Sequence, residues 1–364
     1  MKALRNILIG LVGLAVLAGA GLWLARGPIA LKLYRRGAEQ AMAANPFSSL
    51  PDGLHVGLCG SGSPLPDPHR AGPCTVVIAG QKMFIVDIGD GATRNLTLMG
   101  LTASKADALL LTHYHSDHIG GLGELMLQHW AAGASQRPLD IYGPQGLESV
   151  VGGFQAAYQL DRGYRIAHHG EKVVPPSGFG GTAHAFEVAP DSPDIVLINT
   201  PDLKVTAFPV KHDPVHPAVG YKFVYKGRSV VISGDTAPST RVEAEARGVD
   251  LLVHEALSDR LVNLQREAAI AAHRDNIAAI SHDILGYHTT PEQAADLAQR
   301  AGAKYLLLNH LVPGIPIAGL EGPFLGDAPK RFHGPLRLGH DGDFISMPAN
   351  TTEITRSNRM LRIR

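Results

Sequence analysis

The densest chemistry in this sequence is the run Leu110-Leu111-Thr112-His113-Tyr114-His115-Ser116-Asp117-His118-Ile119-Gly120-Gly121, which holds three histidines and one aspartate within six residues. Imidazole nitrogen and carboxylate oxygen both ligate Zn²⁺, at about 2.0–2.2 Å. An apolar strand running into a loop lets near neighbours converge on one point, which a continued strand or a helix would not allow for all four. Gly120 and Gly121 permit a tight turn against the site and the start of a helix. As unrelated loop residues His113, His115, Asp117 and His118 would be a coincidence; as ligands they seed a metal centre.

The spacing His-x-His-x-Asp-His resembles the signature of the metallo-β-lactamase superfamily, and the resemblance extends over residues 53–349. Upstream, Val86-Asp87-Ile88-Gly89-Asp90-Gly91 is similar to that family's strand-ending Asp-x-Gly segment, whose aspartate supports the metal loop rather than binding metal. The resemblance implies three more ligands at strand ends. They are His212 in Pro209-Val210-Lys211-His212, Asp235 in Ile232-Ser233-Gly234-Asp235-Thr236, and His310 in Leu308-Asn309-His310-Leu311. By the same resemblance one metal takes His113, His115 and His212. The other takes Asp117, His118 and His310, and Asp235 bridges the two. Metals about 3.5–4 Å apart generate a hydroxide near neutral pH and stabilise the attacking and leaving oxygens. Nitrogen and oxygen ligands without cysteine suit Zn²⁺, two per chain, and Mn²⁺ or Fe would also fit.

Two further segments narrow the branch. Val253-His254-Glu255-Ala256 and Gly286-Tyr287-His288-Thr289-Thr290-Pro291 resemble paired segments of the ribonuclease Z/arylsulfatase-like members. That resemblance implies that His288 protonates the leaving group and that Glu255 orients it, with Asp117 the third catalytic residue. A histidine of ordinary pKa about 6.5 serves as an acid at neutral pH. The plainer alternative for His288 is a neighbour of a helix cap; for His254 it is a packed strand-end residue, which we prefer. Gly60-Ser61-Gly62-Ser63-Pro64 with Arg70-Ala71-Gly72-Pro73 resembles the first active-site loop of the same branch. It is not a nucleotide loop, because no Gly-Lys-Ser/Thr follows.

These residues need elements to hold them. Short apolar, β-branched runs bounded by Gly, Asp and Pro predict strands at 54–58, 75–79, 83–86, 108–112 and 139–142, then at 195–198, 205–210, 220–225, 229–233, 251–253 and 305–308. Helical patterns lie between them at 122–132, 145–158, 239–247 and 291–301, with Pro291 suited to a first turn and Gly302 to a helix end. Strand hairpins mixed with helices, twice over, predict two sheets packed face to face with helices outside. With the resemblance this is an α+β, four-layer αββα sandwich. The stretch 264–285 reads as helical, without an assigned role.

Residues 1–26 read as a signal anchor or transmembrane helix: Lys2 and Arg5 precede an uncharged apolar run from Asn6 to Ala25, and about 20 such residues span a bilayer. A cleavable signal peptide is the alternative. Residues 27–52 read as a linker, 53–349 as the hydrolase domain and 350–364 as a tail. Cationic residues flank the run on both sides, so its orientation stays open. Cys59 and Cys74 are either a disulfide, fitting an oxidising compartment, or two free thiols. We read the catalytic part as periplasmic or exported, with a cytoplasmic face still open. A homodimer is compatible with everything above.

The 33 basic and 33 acidic residues cancel, so bulk charge offers nothing to hold a polyanion, and no nucleic-acid partner is expected. The function expected is hydrolysis of a phosphodiester or sulfate ester of a small molecule by a metal-bound hydroxide. One alternative is a ribonuclease Z-type tRNA 3′-processing endonuclease. In that family's common bacterial form a substrate-gripping arm stands between the Gly-Tyr segment and the bridging aspartate, where this chain has only residues 222–234. Another is a mononuclear iron sulfur dioxygenase of the same superfamily, opposed by the His288 segment. A metal-free scaffold is opposed by the full ligand set.

Overall fold

The computed structural model describes residues 2–43, 45 and 47–360, which divide into two compact units between Ser48 and Ser49. The first contains one helix, Lys2–Ala43, passing through Pro28. The helix that holds the apolar run continues through Lys32, Arg35, Arg36 and Glu39, into the stretch the sequence reads as a linker. Among the described residues no helix is long and apolar enough to cross a membrane, so the expected anchor, and a membrane placement through it, receives no support. The side chains at 15–18, 20 and 22, inside that run, lie outside the described residues.

In the second unit the apolar runs become strands of two sheets. One has the order β15-β14-β1-β2-β3-β4-β5-β6. Its strands are β1 (Gly53–Gly60), β2 (Cys74–Ala79), β3 (Lys82–Val86), β4 (Ala106–Leu110), β5 (Leu139–Pro144), β6 (Gly181–Phe186), β14 (Asp343–Pro348) and β15 (Thr355–Asn358). The other runs β13-β12-β11-β10-β9-β8-β7. It comprises β7 (Ile195–Asn199), β8 (Leu203–Pro209), β9 (Val219–Tyr225), β10 (Arg228–Ile232), β11 (Leu251–Leu257), β12 (Leu306–Val312) and β13 (Leu336–Leu338). The strand Thr355–Asn358 lies in what the sequence reads as a tail.

The two sheets share one core. Leu54, Val77, Phe84 and Leu110 of the first pack with Val205, Phe223, Val253 and Leu307 of the second, and the Phe84 and Phe223 rings meet at 5.7 Å. Each such side chain removed from water stabilises the fold by about 1.5–3 kcal/mol. The far face of the second sheet packs Val231, Leu252 and Leu308 against Ala294, Leu297 and Ala298 of the helix Pro291–Ala301. Sheets inside and helices outside match the expected sandwich. The helix Pro291–Ala301 has a capping box on Thr290 and Gln293 and ends on left-handed Gly302. The 264–285 stretch falls in two helices, Asp259–Ala271 and Asp275–Asp283.

Strand direction decides where the chemistry gathers. β3, β4, β5 and β6 are mutually parallel. So are β10, β11 and β12, and two antiparallel steps bring β8 into the same direction. The carboxyl ends of β3 and β4 therefore share one rim of the first sheet, and those of β8, β10, β11 and β12 share one rim of the second.

Candidate active site

Asp87 anchors the metal loop. It follows β3 with φ of 59°, a conformation uncommon outside glycine that marks a constrained position. Its backbone N–H donates to the Leu110 carbonyl at 2.9 Å. Its carboxylate accepts from the Thr112 backbone N–H at 2.8 Å and hydroxyl at 2.9 Å, and lies 2.9 Å from His118 Nδ1. The Thr112 hydroxyl also lies 3.1 Å from His113 Nδ1. Both histidines thus have one ring nitrogen engaged from behind, which fixes the tautomer and frees Nε2 for a ligand.

Three nitrogens converge at the first position. His113 Nε2 lies 2.9 Å from His115 Nδ1, and His212 Nε2 lies 3.5 Å from that same atom. His212 Nδ1 donates to the Tyr287 carbonyl at 3.2 Å. At the second position Asp117 Oδ2 is 3.5 Å from His118 Nε2 and 3.2 Å from His310 Nε2. One oxygen belongs to both: Asp235 Oδ2 is 3.4 Å from His118, 3.2 Å from His310, and 3.9 Å from His113 and from His212. Ligand atoms about 2.05 Å from a tetrahedral Zn²⁺ stand about 3.3 Å apart, close to most of these separations. The groups His113–His115–His212–Asp235 and Asp117–His118–His310 each bring their ligand atoms within 4.8 Å of one another. His118 Nε2 and Asp235 Oδ1 are buried without a hydrogen-bond partner, as donors awaiting a cation would be. The residues fit a pair of metal ions.

His310 reaches the cluster through a break in the ladder. Glu255 pairs with Asn309 but Ala256 pairs with Leu311, so His310 is the extra residue of a bulge, with φ of 45°. A bulge re-aims a side chain, and here it turns an inner-strand residue toward Asp117 and Asp235. Burial works to raise the Asp235 carboxyl, yet His310 and His118 beside it hold it well below the usual carboxylate range.

His288 and Glu255 adjoin this cluster. The His288 ring stacks 5.6 Å from His310 and stands 5.3 Å from His212. His288 Nδ1 is 3.2 Å from Glu255 Oε1. Burial pulls the imidazole down, but the Glu255 carboxylate, by charge and hydrogen bond, raises it above its ordinary value, with help from Asp235. His254 is buried, as expected of a packed residue, but it lies within β11 rather than at a strand end.

The loop between β1 and β2 is tied down on the His310 side. Asp341 accepts from Ser61 backbone N–H at 2.9 Å, Ser61 Oγ at 2.8 Å, Ala71 N–H at 2.8 Å and Asn95 Nδ2 at 2.7 Å. The Leu311 N–H donates to the Ser61 carbonyl at 3.1 Å. Cys59 and Cys74 close the base of the loop with a disulfide. Sequence reasoning missed Asp341 and the Tyr287 carbonyl; neither carries a local signal, since one acts from 280 residues away and the other through its backbone.

The comparisons with known proteins agree with this geometry. Residues 68–282 match the family model described as metallo-beta-lactamase superfamily. The ribonuclease Z of Mycobacterium avium is 37% identical over 290 residues, 79% of this chain and 96% of that protein. That of Mycolicibacterium gilvum is 37% identical over 79% of this chain and 94% of its own length. Two solved structures share the fold: Bacillus subtilis YhfI (TM-score 0.58, 21% identity, 80% of this chain and 99% of that one) and human short-form tRNase Z (TM-score 0.57, 23% identity, 81% and 99%). The chain is a metal-dependent hydrolase and belongs to the metallo-β-lactamase superfamily.

Proposed function

We propose that this chain hydrolyses phosphodiesters through a ribonuclease Z-type site holding two zinc ions. The observation that carries the proposal is the His288–Glu255 pair set against the seven-residue ligand cluster. The likeness to ribonuclease Z over nearly the whole of those relatives supports it and favours phosphodiesters over sulfate esters. His113, His115 and His212 would hold one metal, Asp117, His118 and His310 the other, with Asp235 between. Such a pair supplies an activated water near neutral pH and neutralises charge developing on the phosphoryl oxygens. Glu255 accepts from His288 Nδ1–H, which leaves Nε2 to donate its proton to the departing ester oxygen. Asp87, Thr112 and the Tyr287 carbonyl keep the ligand rings oriented.

A small-molecule ester remains the second reading, on one specific observation. β9 and β10 join directly, Tyr225 pairing with Arg228, so no arm is inserted there to grip an RNA. Metal-loaded protein assayed side by side on a tRNA precursor with a 3′ trailer, bis(p-nitrophenyl) phosphate and p-nitrophenyl sulfate separates these readings. Turnover of either phosphodiester, abolished in Asp117→Ala, supports the proposal. Turnover of the sulfate alone refutes it.

A further inference from the structure

We propose that the apolar pocket walled by the loop that carries His212 receives an uncharged aromatic ester group, which makes a small aryl phosphodiester the substrate class. This rests on the phosphodiesterase reading above and deepens it.

The pocket lies on the rim that carries the metal ligands. Its walls are Val188, Ala189 and Pro190, which follow β6, and Pro209, Val210 and Pro217, which bracket His212. β6 and β5 run parallel to β4, so residues just past their carboxyl ends stand on the same edge as the metal loop. Hydrogen bonds stitch the pocket to the site. The Tyr114 hydroxyl, from between His113 and His115, donates to the Pro144 carbonyl, next to Gln145 on the pocket wall. The Val219 N–H donates to the Thr112 carbonyl at 3.0 Å, and the Val210 N–H to the Ala218 carbonyl at 3.1 Å. The loop from Pro209 to Ala218 therefore offers His212 to the metals and walls to the pocket.

Its chemistry suits an uncharged ring. The cavity has a volume of about 290 Å³; benzene fills a cavity of about 150 Å³. Among the described residues no lysine or arginine lines it, so none of these walls would neutralise a second phosphate of a polynucleotide. His216, at its edge, is paired with Asp213. The walls are stiff: Pro190, Pro209 and Pro217 fix the backbone. The Gln145 side-chain amide exchanges two 3.1 Å hydrogen bonds with the Val188 backbone. A preformed apolar wall binds a rigid group without an ordering cost.

The test compares methyl p-nitrophenyl phosphate with phenyl p-nitrophenyl phosphate, which share a leaving group and differ in the retained ester group. Metal-loaded wild-type protein should prefer the phenyl diester at least tenfold in kcat/KM, mostly through KM. Ala189→Leu and Ala189→Trp, at an exposed position, should erode that preference in order of size. A structure with phenylphosphonate bound should place the ring between Val188 and Pro217. Equal turnover of both diesters by the wild type, a preference undiminished in both variants, or a ring seated elsewhere overturns the subsite and leaves the phosphodiesterase reading standing. No turnover of any phosphodiester overturns both readings, and turnover of an RNA precursor without a phenyl preference overturns the subsite and the small-substrate class together.

Discussion

Glu255 Oε1 stands 3.2 Å from His288 Nδ1 and accepts two backbone N–H groups as well, Thr289 at 2.9 Å and Thr236 at 3.2 Å. One carboxylate oxygen thereby fixes the segment that carries His288 and the residue that follows Asp235. The Thr289 hydroxyl closes the circuit by donating to the Thr236 carbonyl at 2.6 Å. His288 and the residue after Asp235 are held in register by the same buried group.

If His288 is the acid, its loss must scale with how badly the leaving group needs a proton. His288→Ala should lower kcat by about 10²–10⁴-fold on a diester with an alkoxide leaving group, and far less on p-nitrophenolate. Steady-state kinetics on the two diesters checks this. Equal losses would remove the acid role.

The pH profile follows from the same pair. A histidine acting as an acid works protonated, and against the pull of burial Glu255 raises the His288 pKa above its ordinary value, so turnover of the alkoxide substrate should fall as pH rises through that raised pKa. Glu255→Gln removes the raising charge and should move this alkaline limb to lower pH. A limb that stays in place would uncouple Glu255 from the acid.

Asp87 acts behind the ligands, and asparagine tolerates its φ of 59°. Asp87→Asn presents an N–H₂ where His118 Nδ1 and Thr112 now find an acceptor. Metal affinity should drop about 10–100-fold, read by competition with a chromogenic chelator. Unchanged affinity would leave Asp87 as a turn residue.

The disulfide closes a 15-residue separation. Reduction, or Cys59→Ser with Cys74→Ser, should cost about 3 kcal/mol of stability, measured by urea unfolding with and without reductant. A shift under about 1 kcal/mol would mean that Asp341 alone holds the loop.

Much of this was legible in the sequence because it is local. The metal loop announces itself within six residues, and the helix Pro291–Ala301 declares both of its ends. The strands 195–199 and 219–225 follow from their apolar, β-branched runs. What escaped notice is what depends on distant partners or short patterns. Gly181–Phe186 and Thr355–Asn358 are edge strands with little apolar patterning, and Leu336–Leu338 is three residues long. Where the sequence reads one helix at 122–132, the structure has an α-helical turn Leu122–Leu127 passing into a π-helical turn Gln128–Ala132. The His310 bulge needs β11 as a reference, so the sequence placed this residue at a strand end when it lies within β12. The helix Lys2–Ala43 ran on past Arg26 because a change from apolar to charged residues alters its surroundings without breaking its backbone.

Metal content and anomalous diffraction from the purified chain test whether seven side chains carried by both sheets hold two cations. Two zinc ions per chain are expected, one among His113, His115 and His212 and one among Asp117, His118 and His310, with Asp235 touching both. A single ion, an ion bound elsewhere, or a fully folded chain that takes up none would contradict it.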